Sequence, residues 1–79
     1  MNDLINILFN INSKSEMRNF LLGLFTVREM EELTKRLKII RMLKKGNTQK
    51  YIAQKLQVGI ATVTRGSKEI QKGKFKNYV

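Results

Sequence analysis

Apolar residues recur along most of this chain at intervals of three and four, the spacing of a buried stripe on an α-helix. The longest stripe is formed by Met30, Leu33, Leu37, Ile40 and Leu43. It predicts a helix over about 27–45 whose stripe is a continuous part of the core. The sequence "TVRE" at positions 26–29 is a capping box that would begin this helix, and Gly46 would end it.

Two shorter helices are predicted before the long one. The first covers about 3–12, with Asn2 or Asp3 as its cap, and is apolar at Leu4, Ile5, Leu8, Phe9 and Ile11. The sequence "SKSE" at positions 13–16 is a second capping box and begins a helix over about 15–24, with Gly23 near its end. The apolar surface of the first helix requires a partner, which is either the following helices or a second copy of the chain.

Residues 49–67, "QKYIAQKLQVGIATVTRGS", predict two short helices joined by a tight turn. Their inward positions are Ile52, Leu56, Val58 and Val63. Ala53 would let the helices cross closely, Thr48 would cap the first, and Gly59 in the linker can adopt a left-handed backbone. This is the helix-turn-helix pattern, in which the second helix, here about 60–70, enters the major groove of DNA. An ordinary helical hairpin is the alternative.

The outer face of the second helix carries small and hydroxyl side chains. Thr and Ala contact the thymine methyl, and hydroxyls bond to base edges or to ordered water. We therefore expect base reading by Ile60, Ala61, Thr62 and Thr64, phosphate contact by Lys50, Lys55 and Lys68, and a further DNA contact by Arg65.

The charge distribution supports a nucleic-acid partner. The 79 residues carry a net charge of +10, with a pI near 10.3. Up to Glu32 there are five acids and three bases, whereas from Leu33 onward there are thirteen bases and one acid, Glu69. The basic half is therefore the half with the helix-turn-helix, as DNA binding requires. A non-specific architectural protein that coats DNA remains the alternative, and it predicts steep salt dependence without a preferred site.

Composition excludes several other classes of function. The chain has no cysteine and no histidine, so disulfides, zinc centres and catalysis by either residue are excluded. We expect no enzymatic activity and no cofactor. The apolar start lacks a basic leader and is too short to span a bilayer, so a cytoplasmic protein is expected. We expect one domain over 1–79, with a dimerisation core at about 3–45 and the helix-turn-helix at about 48–70.

More than half of the chain resembles the Trp repressor family, including Trp repressor-like proteins of the YerC/YecD type. "GIATVTRGS" at 59–67 is similar to the family's recognition-helix motif "GIATITRGS", and "LFTVREMEELTKRLKIIRMLKKGNT" at 24–48 to its long helix. The resemblance implies an all-α, intertwined homodimer that presents two helix-turn-helix heads to a palindromic operator and represses transcription.

The resemblance also implies a corepressor site. In the classical repressor L-tryptophan lies between two arginines, which correspond here to Arg36 and Arg65. Thr26 matches a threonine near the ligand carboxylate. Gly66 follows Arg65 as in the family. Glu69 stands where the classical repressor has a serine near the ligand ammonium. It could hold that ammonium or pair with Arg65, and we expect tryptophan dependence to be lost or altered.

Two further departures from the family concern DNA and the C-terminus. Lys50 replaces an arginine that contacts guanine, and lysine cannot form the same two-pronged bond, so base discrimination there should weaken. The tail after Gly73 is too short for the family's C-terminal helix. We expect a solvated, mobile tail with Phe75 and Tyr78 as its possible anchors.

Overall fold

The computed structural model describes all residues, Met1–Val79, and contains five α-helices and no strand. They are α1 (Asn2–Asn10), α2 (Lys14–Leu24), α3 (Val27–Lys44), α4 (Gln49–Leu56) and α5 (Ile60–Gln71). The predicted all-α fold and the five predicted helices are confirmed, with ends shifted by no more than about two residues. None of the helices has the length and apolar content needed to cross a membrane.

The chain divides into two compact units, Met1–Glu31 and Glu32–Val79. The first unit contains α1, α2 and the first turn of α3, and no side chain of α1 or α2 is buried. The second unit has a small core of Ile39, Ile52 and Val63, all at most 1% exposed. Partly buried apolar side chains surround this core: Met42, Leu43, Ala53, Leu56 and Val58. The predicted interior of the helix-turn-helix is therefore confirmed.

The predicted core stripe of α3 is only partly correct. Ile40 is buried and Leu43 is half-buried, but Leu33 and Leu37 are 39% and 40% exposed. The most buried side chain of α3 is instead Ile39, which lies outside the predicted stripe. The reason is that the helix-turn-helix packs on the C-terminal half of α3 and approaches it from the side on which Ile39 lies.

Side-chain caps begin three of the helices as predicted. The Thr26 hydroxyl accepts from the backbone N–H of Glu29 (3.1 Å), and Glu29 Oε1 accepts from the N–H of Thr26 (2.9 Å). Ser13 and Thr48 cap α2 and α4 through their hydroxyls. The expected cap of α1 by Asn2 or Asp3 is wrong, because α1 already begins at Asn2 and has no side-chain cap. Both residues therefore lie within its first turn.

Residues with a left-handed backbone follow the ends of three of these helices, α3, α4 and α5. Gly46 (φ +94°) ends α3, and its N–H donates to Leu43 O (3.0 Å), as in a Schellman motif. In the turn of the helix-turn-helix the left-handed residue is Gln57 (φ +54°) and not Gly59, which is the extended N-cap of α5. α4 ends at Leu56, and its C-cap Gln57 already reverses the chain before Gly59 is reached.

Replacing Gln57 by glycine should therefore stabilise the fold. A side chain in the left-handed region costs about 1–2 kcal/mol, and the greater freedom of glycine in the unfolded chain offsets part of that gain. We expect Gln57→Gly to raise the free energy of unfolding by about 0.5–1 kcal/mol in urea denaturation at fixed protein concentration. The matched variant Gly46→Ala, which places a side chain at φ +94°, should lower it. A loss of stability in Gln57→Gly would contradict this view of the turn.

Candidate DNA-binding surface and effector cavity

α5 presents one face to the core and another to solvent. Val63 is fully buried and Ile70 is half-buried, which fixes the rotation of the helix about its axis. The exposed side chains of α5 include Ile60, Ala61, Thr62, Arg65 and Lys68. These are residues that the sequence analysis expected to face outward, and they stand on a helix whose inner side is anchored.

Thr64 differs from its neighbours on α5. It is half-buried, and its hydroxyl donates to Oε1 of Gln49, the first residue of α4, at 2.7 Å. The bond joins the two helices of the helix-turn-helix across their interface. Thr64 therefore has a structural role that the sequence analysis did not assign, beside the base contact that stays a prediction.

The basic side chains of this unit are largely without acidic partners. Lys50 and Lys55 on α4 and Lys68 on α5 are exposed. One ion pair is present in the chain, between Glu69 and Lys72 at 3.6 Å. The positive charge on the surface of the helix-turn-helix is thus left available to a polyanion.

Beside this surface, α3, α5 and the C-terminal tail line a cavity of about 480 Å³. α3 contributes aliphatic side chains and one arginine, α5 contributes an arginine, a carboxylate and small residues, and the tail contributes an aromatic ring. The lining residues are Leu33, Arg36, Leu37, Ile39, Ile40, Ala61, Thr62, Arg65, Gly66, Glu69 and Phe75. An apolar cavity with a few charged groups of both signs is suited to a small amphipathic ligand.

The close approach of α5 to α3 depends on Gly66. A Cβ atom at this position would lie 3.2 Å from Ile40 Cδ1 and 3.3 Å from Ile39 Cγ2, closer than ordinary van der Waals contact. Both isoleucines are buried and have little room to move. Gly66 therefore sets the distance between the two helices that form the cavity.

Four of the five residues that the resemblance assigned to a corepressor line this cavity: Arg36, Arg65, Gly66 and Glu69. Thr26 is not among the lining residues; it lies in the other unit, where it caps α3. Glu69 pairs with Lys72 and not with Arg65, so the expected alternative in which Glu69 occupies that arginine is wrong for this structure. The partner of the carboxylate is instead Lys72, the C-cap residue of α5, three positions further along the chain.

Several residues of the cavity lie outside the effector site that was predicted from the sequence. Ala61 and Thr62 line it as well as facing outward, and their spacing from Arg65 and Glu69 was a usable signal, since residues three and four apart share a helix face. The aliphatic residues Leu33, Leu37 and Ile40 line the cavity, whereas the sequence predicted them to belong to the core stripe of α3. Phe75 was predicted as a possible anchor of the tail but not as a cavity residue, because nothing in the local pattern fixes the path of the tail.

Comparison with known proteins agrees with this geometry. The chain matches the family model described as Trp repressor protein over residues 1–78. It belongs to the Trp repressor family. A Trp operon repressor homolog of Xylella fastidiosa is 35% identical over 77 residues, which is 96% of this chain and 84% of that protein. No solved structure matches the chain.

Trp operon repressor homologs of two Vibrio species are also similar to this chain. The Trp operon repressor homolog of Vibrio campbellii is 48% identical over 61 residues, or 76% of this chain and 59% of that protein. The homolog of Vibrio vulnificus is 51% identical over 49 residues, or 61% of this chain and 48% of that protein. The family regulates transcription by binding DNA and is not enzymatic. This chain is accordingly a DNA-binding transcriptional regulator, and the prediction that it is not an enzyme is confirmed.

The bond between Thr64 and Gln49 can be tested by Thr64→Val, which keeps the shape of the side chain and removes the hydroxyl. The variant leaves the half-buried amide of Gln49 without its partner, so the free energy of unfolding should fall by about 1 kcal/mol in urea denaturation. Gln49→Ala should lose a similar amount, and the double variant little more than either single one. Additive losses would show that the two residues act independently.

Proposed function

We propose that this protein represses transcription as a homodimer that binds a palindromic operator, with an aromatic amino acid such as L-tryptophan in the α3–α5 cavity as its effector. The observation that carries the proposal is that Ala61, Thr62 and Arg65 belong both to the exposed face of α5 and to the cavity wall. A ligand in the cavity would therefore touch the helix that reads DNA.

On the DNA side, the N-terminal part of α5 would enter the major groove. Ile60, Ala61, Thr62 and Thr64 would read bases directly or through water, and Lys50, Lys55 and Lys68 would contact phosphates and set the register. The buried Val63 supports this role, because an anchored helix holds its outer side chains in a fixed orientation. Occupation of an operator that overlaps a promoter requires no chemistry by the protein.

On the effector side, the charges of the cavity match those of an amino acid. The guanidinium planes of Arg36 and Arg65 can stack on an aromatic ring, and an arginine can also bind the carboxylate. Glu69, whose side chain is 27% exposed, offers a charged acceptor for the ligand ammonium. Its ion pair with Lys72 spans 3.6 Å at the solvent-exposed end of α5, and such a pair is weak enough to be exchanged.

The effector and the operator would be coupled through α5. A ligand that fills the cavity favours one position of α5 relative to α3, and DNA favours the same position if the two recognition helices must match successive major grooves. By linkage, operator DNA would then strengthen ligand binding by the same factor.

The exposed apolar surface supports the homodimer. The first unit has no buried side chain in α1 or α2, and it exposes Phe9 (86%), Ile5 (53%), Leu24 (54%) and Val27 (65%). Apolar surface of this extent on a small soluble chain marks an interface. We therefore assign the dimerisation core to about 3–45, the helix-turn-helix to about 48–70, and the whole of 1–79 to one functional domain.

Base reading can be tested with duplexes selected from a random pool in the presence and absence of L-tryptophan. Thr62→Ala should cost about 1–2 kcal/mol of binding free energy on the selected duplex and little on a scrambled one. Lys68→Ala should weaken binding to both duplexes alike and reduce the slope of log K against log salt by about one. Because Thr62 also lines the cavity, the affinity of the Thr62→Ala protein for L-tryptophan is measured separately by calorimetry.

The outcomes of the selection separate the candidate functions. A consensus enriched only with L-tryptophan supports the effector-dependent repressor, and a consensus that is the same without it indicates an effector-independent regulator. A pool without any consensus, together with steep salt dependence, would favour the architectural protein and overturn the proposal of an operator.

The homodimer can be tested with Phe9→Lys, which places a charge in the exposed apolar face of α1. We expect light scattering over a range of concentrations to show a dimer for the wild type. In the variant the dissociation constant of the dimer should rise by at least about 10-fold, because an unpaired charge would be buried. Asn10→Lys adds the same charge at the neighbouring, exposed position and should leave the dimer intact. Monomeric wild-type protein, or equal effects of the two variants, would contradict this interface.

A further inference from the structure

The short C-terminal tail turns back towards α3 after α5 ends. Gly73 has a left-handed backbone (φ +83°), its N–H donates to Ile70 O (2.9 Å), and the N–H of Lys74 donates to Glu69 O (3.2 Å). These two bonds form a Schellman motif, which ends a helix and redirects the chain.

The redirected tail is attached to the end of α3. Lys44 Nζ donates to the carbonyl oxygen of Phe75, a contact between residues 31 positions apart. The two aromatic side chains of the tail differ in their surroundings: Tyr78 is 82% exposed, whereas Phe75 is half-buried and lines the α3–α5 cavity. The structure thus has one of the two predicted tail anchors in contact with the core.

We infer that Phe75 is a ligand-contacting residue of the effector cavity, and that Lys44 is a positioning residue that holds it there. This inference rests on the proposed aromatic amino-acid effector. Phe75 adds an apolar aromatic surface to a cavity that also contains the charged groups of α5. Aromatic pairs prefer offset or edge-to-face contact, which a ligand ring could make with it. The tail thereby adds an aromatic side chain to a cavity whose other lining residues belong to α3 and α5.

The arrangement of the cavity supports this assignment. Arg36, Arg65 and Glu69 account for stacking and for the two charges of an amino acid, but all three are charged side chains. Burial of a ligand's aromatic side chain requires apolar surface on more than one side. α3 supplies Leu33, Leu37 and Ile40, and Phe75 is the one aromatic side chain that lines the cavity.

The test is a calorimetric titration of L-tryptophan into the full-length protein without DNA. Phe75→Ala should raise the dissociation constant by roughly 10-fold or more, since it removes both apolar burial and the aromatic contact. Phe75→Leu, which keeps much of the apolar volume, should raise it less. Lys44→Met, which removes the donor and keeps a long side chain, should raise it a few-fold, and Tyr78→Ala, in the same tail but exposed, should leave it unchanged.

The results separate this inference from the proposed function. If the wild type binds L-tryptophan and Phe75→Ala binds it equally well or more tightly, the role of Phe75 is overturned. The proposal that L-tryptophan is the effector would still stand. If the wild-type protein selects an operator but does not bind L-tryptophan, the proposed effector is refuted, and so is the role of Phe75 in contacting it. Urea unfolding of each variant shows whether the fold is intact.

A second measurement needs no variant and covers the case in which Phe75→Ala does not fold. Saturating L-tryptophan should slow hydrogen exchange of the tail amides at 74–77 in the wild-type protein, because a ligand in contact with Phe75 stabilises the docked tail. The amides of α1 serve as the internal reference. Unchanged exchange in the tail of ligand-bound protein would overturn the inference.

Discussion

The contact between α3 and α5 at Gly66 is the constraint on which the functional half of this protein depends. Because Gly66 has no side chain, the backbone of α5 lies close to Ile39 and Ile40. A methyl group at this position would be only 3.2–3.3 Å from their side-chain carbons. Val63 and Ile52 complete the same small core and fix the rotation of α5. The outward direction of the recognition helix and the shape of the cavity beside it both follow from this one contact.

The fold separates apolar and basic surface between its two units. The N-terminal unit contains most of the acids and much exposed apolar surface, which favours association with another protein surface. The second unit contains thirteen bases and two acids, Glu32 and Glu69, a balance that suits it to a polyanion. The proposed dimer contact through α1 and α2 would therefore leave the basic surface of the helix-turn-helix available to DNA.

The α3–α5 cavity is lined by the same helix that is proposed to read DNA. Ala61, Thr62 and Arg65 take part in both surfaces, and Gly66 and Glu69 follow on the cavity side of the same helix. The proposed coupling would need no long pathway, because displacement of α5 against α3 would change both sites together. Glu69, which is paired with Lys72, leaves Arg65 available for that role.

Local patterns in the sequence determined the helices, the capping residues Ser13, Thr26 and Thr48, the interior of the helix-turn-helix, and the family. These features follow from spacing and from hydrogen bonds between residues three or four positions apart, and such interactions can be read from a short window of sequence. Tertiary structure alone decided that Ile39 rather than Leu33 or Leu37 is buried, that Gln57 takes the left-handed turn, that Thr64 bonds to Gln49, and that Phe75 reaches the cavity. Each of these depends on which face a distant segment packs against, and hydrophobic periodicity does not specify that choice when a helix has apolar residues on more than one side.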